Sequence, residues 1–134
     1  MSKGEQKIQA ILFKNHIPFE TEKTFPDLKG KKNHLLRFDF AIYSRGRIQC
    51  LLEFDGQQHF ARSNHFQKTT SKYLGSLEND RKKNRYCLGK GIPLFRIPYW
   101  DIEQIEKLED LFRPQYRVKS IYHNDELRFN RREF

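Results

Sequence analysis

The sequence of 134 residues contains only two cysteines, one methionine and one tryptophan. Cys50 and Cys87 lie far apart and neither belongs to a CxxC pair, so the sequence predicts no structural zinc site. Two cysteines without a pattern are typical of a reducing compartment, and we therefore expect a cytoplasmic protein. The chain also lacks a run of 18 apolar residues and a signal-peptide pattern, which predicts no association with a membrane.

Acidic residues are scarce relative to basic ones. The chain has 26 Lys and Arg against 17 Asp and Glu, which gives a formal net charge of +9 and a pI near 9.7. An excess of this size favours a polyanionic partner, with nucleic acid ahead of an acidic membrane surface. The length predicts one domain with a proper core.

The pattern of apolar and turn residues predicts an α/β fold with the order αβββαβα. The predicted elements are a helix over residues 3–14, an edge strand over 19–25 closed by Pro26, two central strands carrying Asp39 and Glu53, a long loop over 59–71, a helix over 72–90 stopped by Gly89 and Gly91, a strand over 92–99 and a final amphipathic helix beginning near Asp101.

Three carboxylates interrupt the central strands. Asp39 lies within an apolar run, and Glu53 and Asp55 end the next run, with His59 just beyond. Glu53 and Asp55 are two residues apart, so their side chains leave the same face of a strand. Burying a carboxylate costs several kcal/mol unless a cation or strong donors replace its hydration. These four residues together indicate a hard divalent cation held by oxygen ligands.

Each of these residues also has a structural interpretation. Asp55 followed by Gly56 is a signal for a hairpin turn, and Asp39 can be a solvated carboxylate at a sheet edge. A single histidine such as His59 is more often structural than catalytic. Glu5 has capping-box spacing from Ser2, which accounts for it without a role at a metal.

The order of these residues resembles the PD-(D/E)XK, or restriction-endonuclease-like, nucleases. The resemblance rests on Asp39, the 14-residue step to Glu53, the segment Glu-Phe-Asp-Gly-Gln-Gln-His-Phe at 53–60, Asn-Asp-Arg-Lys-Lys-Asn at 79–84 and Gly-Ile-Pro-Leu-Phe-Arg-Ile at 91–97. Within that superfamily, the segment 53–60 is similar to the very-short-patch-repair branch, which includes catalytic domains of phage homing endonucleases. The resemblance covers roughly residues 2–111, and it implies a mixed central sheet flanked by helices, with a nuclease core at 1–112.

The resemblance implies a DNA endonuclease that depends on Mg²⁺ or Mn²⁺, from a bacterial or phage-infected cell. It implies that Asp39, Glu53 and Asp55 bind the metal and that His59 is a general base or an orienting donor. Further catalytic candidates are Glu5, Asp80 and Lys83, and the candidates for nucleic-acid contacts are Gln57, Arg62, Lys68, Lys72, Lys83 and Arg96. One departure stands out: Asp55 occupies the position of the motif lysine.

Two segments leave alternatives open. Asp80 and Asn84 interrupt an apolar helix face that also holds Tyr73, Leu77 and Cys87, and the helix is either a solvated charged helix or part of the site. Residues 113–134 form a basic, aromatic extension. This extension binds nucleic acid, packs its aromatics on the domain, or forms a strand that makes a homodimer.

Two other functions compete with a nuclease of this type. The first is a catalytically inactive nucleic-acid-binding module on the same fold, which the missing motif lysine favours. The second is a structure-selective junction resolvase, which is usually a dimer.

Overall fold

A computed structural model describes residues 1–56 and 66–130 of the chain, except the side chains of residues 66–73 and 128–130. The regular elements, in chain order, are α1 (Lys3–Lys14), β1 (Phe19–Lys29), β2 (Leu35–Ser44), β3 (Arg47–Asp55), α2 (Phe66–Lys90), β4 (Leu94–Pro98) and α3 (His123–Asn130). Short 3₁₀ turns lie at Lys31–Asn33, Tyr99–Gln104, Leu108–Phe112 and Pro114–Tyr116. The α/β class expected from the sequence is confirmed.

The four strands form one mixed sheet in the order β1-β2-β3-β4. The first three strands are an antiparallel meander, and the crossover through α2 brings β4 parallel to β3. In that parallel pair Glu53 aligns with Arg96, and Asp55 aligns with Pro98. The carboxyl end of β3 therefore lies beside β4, at the same end of the sheet as the first half of β2.

The sheet separates two hydrophobic clusters. One cluster packs α1 and the 3₁₀ segments against one face, and its buried members include Ile8, Leu12, Phe40, Leu52, Ile97, Ile105, Leu111 and Tyr116. The other cluster packs α2 against the opposite face, and its members include Leu36, Phe38, Ala41, Leu51, Cys87, Leu94 and Val118. The α2 face that holds Leu77, Asp80, Asn84 and Cys87 is buried, so the solvated alternative does not apply to it.

The first turn of α1 lies against the end of β3. Ser2 caps the helix, because its hydroxyl accepts a hydrogen bond from the backbone N–H of Glu5. Gly4 is buried, and a Cβ atom placed on it would lie 2.4 Å from Cζ of Phe54. Only a residue without a side chain permits this approach, which carries Glu5 towards the carboxylates of β2 and β3.

The predicted final helix from Asp101 is wrong. Two 3₁₀ segments occupy this stretch, and the side chain of Asp110 accepts hydrogen bonds from the backbone N–H groups of Glu106 and Lys107 at 2.9 and 3.1 Å. These bonds begin a new turn at Leu108 and interrupt a continuous α-helix. The last α-helix is α3 instead.

Three predicted boundaries also differ. β1 is an edge strand as expected, but it continues past Pro26 to Lys29, with a register shift after Thr24. Proline is tolerated there because an edge strand has N–H groups that need no partner strand. The loop predicted over 59–71 is helical from Phe66, and its earlier residues lie outside the described ranges. Gly89 is helical, and only Gly91, with φ at +71°, follows the end of α2. Across the described ranges, no helix is long and apolar enough to cross a membrane.

Replacement of Gly4 by alanine should destabilise the fold by about 1–3 kcal/mol, because the new methyl group collides with the Phe54 ring. The matched control is Gly89→Ala in α2, where no heavy atom lies within 4 Å of the new methyl group. That change should be neutral or stabilising by up to about 1 kcal/mol. Urea unfolding followed by circular dichroism measures both, and equal stabilities of the two variants would contradict the close packing of α1 on β3.

Candidate active site

The backbone ladder between β2 and β3 ends at the pair Phe40 and Leu52. At the next pair, side chains take over the hydrogen bonding. Oε1 of Glu53 accepts from the backbone N–H of Asp39 at 3.2 Å, and Oδ2 of Asp39 accepts from the backbone N–H of Phe54 at 2.8 Å. Each carboxylate therefore binds the opposite strand at the point where the two strands separate. Two of the three side chains predicted to bind a metal, Asp39 and Glu53, thus lie together.

A lysine from α2 completes this group. Nζ of Lys83 lies 3.1 Å from Oε1 of Glu53 and 5.5 Å from the centre of the Phe38 ring. Both side chains of the ion pair are largely buried, at 13% exposure for Lys83 and 4% for Glu53. A buried charge pair is screened less than a surface pair. Lys83 thus supplies a cation beside Glu53, although Asp55 occupies the position of the motif lysine in the sequence.

Burial raises the pKa values of both carboxyl groups. Burial, together with the neighbouring negative charges of Glu53 and Glu5, raises the pKa of Asp39 to about 8. Burial likewise raises the pKa of Glu53, although the charges of Lys83 and Arg96 oppose that rise. A carboxylic acid with a pKa near 8 is partly protonated at neutral pH, and a bound cation would displace its proton.

A second buried group lies behind the first and centres on Arg96. The guanidinium donates from Nη1 to Oδ1 of Asp55 and from Nε to Oδ1 of Asn84, both at 2.8 Å. Nη1 also lies 3.5 Å from Oδ1 of Asp80. Oδ2 of Asp55 accepts from Nδ2 of Asn124 at 2.8 Å. This network joins β3, α2, β4 and α3, and the side chains of Arg96 and Asp55 are both fully buried.

The network places three predicted site residues differently from the sequence expectation. Asp55 was expected to bind metal, but both of its carboxylate oxygens have partners in the network. Asp80 was expected at the rim of the site, and it is buried beside Arg96. Arg96 was expected to contact phosphate, and a fully buried guanidinium has no surface for that contact. The physical reason is charge: two buried carboxylates need a cation, and Arg96 supplies it.

The remaining predictions divide into two groups. Glu5 lies close enough to Asp39 for its charge to raise the pKa of Asp39. Its backbone N–H also donates to the hydroxyl of Ser2, which agrees with the alternative interpretation of Glu5 as part of the helix cap. The predictions for Gln57, His59 and Arg62 concern residues outside the described ranges, as do those for the side chains of Lys68 and Lys72.

Sequence reasoning missed three residues that support the site. Gly4 allows α1 to approach β3, and Asn84 and Asn124 complete the network around Asp55. Asn84 carried a signal, because it interrupted an apolar helix face. Asn124 carried none, since it lies in a polar segment and meets Asp55 only in three dimensions.

Asp39 and Glu53 lie beside the ammonium group of Lys83. In the described part of the chain, no group of three His, Cys, Asp or Glu side chains is arranged to hold a metal ion. However, Mg²⁺ commonly binds through one or two carboxylates together with water and phosphate oxygens. The carboxylate oxygens of Asp39 and Glu53 are the kind of donor that such an ion prefers.

Comparisons with family models, with curated proteins and with solved structures found no significant match to this chain. The functional assignment therefore depends on the geometry of the site.

Replacement of Arg96 by methionine should lower the free energy of unfolding by about 3–5 kcal/mol, because it leaves Asp55 and Asp80 buried without their cation. Arg81→Met is the matched control. Arg81 pairs with Asp125 at 2.8 Å, but its side chain is 40% exposed, so its loss should cost about 1 kcal/mol or less. Chemical unfolding measures both variants, and a mild effect at Arg96 would contradict a structural role for the network.

Metal-free protein should lose stability as pH rises because of Asp39. Its pKa in the folded state, about 8, exceeds the value of 3.8 for an unperturbed group. The folded state therefore holds a proton that the unfolded state has released, and this stabilisation is complete below about pH 4 and lost as pH passes 8. Asp39→Asn removes the titration. In chelator, the variant should gain about 1–4 kcal/mol over the parent protein between pH 5 and pH 8.5. If the free energies of unfolding of the parent protein and of Asp39→Asn change with pH in the same way over this range, the raised pKa of Asp39 is refuted.

Proposed function

We propose that this protein is a metal-dependent endonuclease that hydrolyses phosphodiester bonds in DNA, on a restriction-endonuclease-like fold. The observation that carries the proposal is the pairing of Asp39 with Glu53 where β2 and β3 separate, with Lys83 bound to Glu53 at 3.1 Å. The net charge of +9 supports a polyanionic substrate.

Asp39 and Glu53 would hold a Mg²⁺ or Mn²⁺ ion. Their known hydrogen bonds fall on one oxygen each, Oδ2 of Asp39 and Oε1 of Glu53. Within the described residues the second oxygen of each carboxylate receives no hydrogen bond, so it suits a cation. When bound, the ion lowers the pKa of an attacking water and neutralises charge on the phosphate.

Lys83 takes the part that the resemblance assigns to the missing motif lysine. Its ammonium group is held by Glu53 on one side and by the Phe38 ring on another, so its position is fixed before substrate arrives. A fixed positive charge stabilises the negative charge that develops on a phosphate during attack. Glu5, whose charge acts on Asp39, would orient a water molecule.

Hydrolysis adds one water molecule across a phosphorus–oxygen bond and leaves a phosphate monoester and a hydroxyl group. The water must lose a proton to a base, and His59 remains the residue predicted for that role. The leaving oxygen must gain a proton or have its charge neutralised, and the ammonium group of Lys83 is one source of both.

A nucleic-acid-binding module without chemistry is the second candidate. One observation favours it: Lys83 already neutralises Glu53, and Asp55 is paired with Arg96 instead of lying beside Asp39. In such a protein the carboxylates would serve only to join β2 to β3. Cleavage assays separate the two functions.

The chain should nick or linearise supercoiled plasmid DNA with Mg²⁺ or Mn²⁺, and EDTA should abolish the reaction. Asp39→Asn, Glu53→Gln and Lys83→Met should each lower the cleavage rate by about 10²-fold or more, because each removes a charge that acts on the phosphate or the ion. Gel electrophoresis of the plasmid products measures the rates.

The neighbouring Lys82 provides the matched control for Lys83. It lies on the same helix and pairs with Glu78 at 3.6 Å on the surface, so Lys82→Met should retain nearly full activity. DNA binding without cleavage under every cation tested would support the inactive module. Equal loss of activity in Lys83→Met and Lys82→Met would contradict a specific catalytic role for Lys83.

A further inference from the structure

The loop that joins β1 to β2 presents positive charge with no acid to neutralise it. Lys29, Lys31 and Lys32 are all exposed, and none forms a salt bridge with a described residue. The sequence has no acidic residue between Asp27 and Asp39. Asp27 is itself already bound, by the hydroxyl of Tyr86 at 2.7 Å and by Nζ of Lys90 at 3.2 Å.

The backbone of this loop is fixed and strained. The backbone N–H of Gly30 donates to the carbonyl of His34 at 2.8 Å, and the N–H of His34 donates to the carbonyl of Lys31 at 3.2 Å. Between these bonds Lys32 and Asn33 adopt φ values of +57° and +59°. Residues other than glycine and asparagine rarely adopt this left-handed region. His16, Glu22 and Arg45 adopt it as well, so the conformation fixes the shape of the loop but does not by itself mark a site.

The loop lies at the same end of the sheet as the carboxylates. A Cβ atom placed on Gly30 would lie 3.1 Å from Oδ1 of Asn79, which precedes Lys83 by one turn of α2. Leu35 begins β2 immediately after the loop, and Asp39 follows four residues later. At about 3.3 Å per residue, the loop is roughly 13 Å from Asp39 along the strand.

We propose that the loop at residues 29–34 binds the phosphate backbone of double-stranded DNA, roughly 13 Å along β2 from Asp39. The proposal rests on the proposed function for its substrate. Contacts to phosphate fix the position of a duplex without reading its sequence, so the loop sets where the backbone lies relative to Asp39 and Glu53.

The test is binding of a fluorescent 20-base-pair duplex in EDTA over a range of salt concentrations. The double variant Lys31→Gln/Lys32→Gln should bind about 10- to 100-fold more weakly at 0.1 M salt. Its plot of log K against log salt should be shallower by about two units, because two phosphate contacts are lost. With Mg²⁺, the same variant should raise KM for cleavage and keep kcat within about twofold.

The matched control is Arg45→Gln/Arg47→Gln, in the exposed turn between β2 and β3 at the opposite end of these strands. It removes the same net charge, so it should bind the duplex nearly as the parent protein does. Equal weakening by both double variants would reduce the effect to net charge and overturn the proposal. Unchanged binding by the loop variant would overturn it directly, as would an equal or greater loss on single-stranded DNA.

Lys32→Gly separates strain from charge. Glycine relieves the left-handed conformation, so the midpoint temperature of unfolding should rise, while the salt slope for the duplex becomes shallower by about one unit. A stabilised variant with an unchanged slope would overturn a phosphate contact at Lys32. Binding is measured in chelator and does not depend on cleavage. A parent protein that binds duplex but never cuts it with Mg²⁺ contradicts the proposed function. The salt slopes alone then decide whether the loop contacts phosphate.

Discussion

The buried ion pair between Arg96 and Asp55 constrains the rest of the structure. Both side chains are excluded from water, so each needs the other and a full set of hydrogen bonds. Those bonds come from α2 through Asp80 and Asn84, and from α3 through Asn124. The pair thereby fixes α2 against β3 and β4. Lys83 precedes Asn84 by one residue, so the same network that orients the helix also aims Lys83 at Glu53.

This arrangement divides two carboxylates that the sequence presents as equivalent. Glu53 and Asp55 leave the same face of β3, yet they meet different cations. Arg96 aligns with Glu53 in the parallel pair, but its guanidinium binds Asp55, which is structural. Glu53 lies where β2 and β3 separate and binds the ammonium group of Lys83. Asp55, at the position of the motif lysine, is therefore part of the buried network around Arg96. The cation beside Glu53 comes from α2, as Lys83.

The parts of the fold that local patterns encode could be predicted, and those that depend on long-range pairing could not. The capping of α1 by Ser2 and the approach of Asp39 to Glu53 follow from local signals and one hairpin. The partnership of Arg96 with Asp55 spans 41 residues and left no such signal. The failed final helix has a different cause. Ile102, Ile105, Leu108 and Leu111 recur every three residues, which is the period of a 3₁₀ helix and not the 3.6 of an α-helix.

The charge distribution links the site to the loop between β1 and β2. The chain as a whole carries nine excess positive charges, yet the carboxyl groups of Asp39 and Glu53 lie together in a buried region. Two like charges 4 Å apart at an effective dielectric near 20 repel by about 4 kcal/mol. Once Asp39 has lost its proton, a phosphate approaching it would meet that repulsion unless a divalent cation lay between them. Under the proposed function, the exposed lysines would draw a duplex to this end of the sheet, and the carboxylates would admit its backbone only together with the cation. Binding of the duplex at the site would then also complete the site for chemistry.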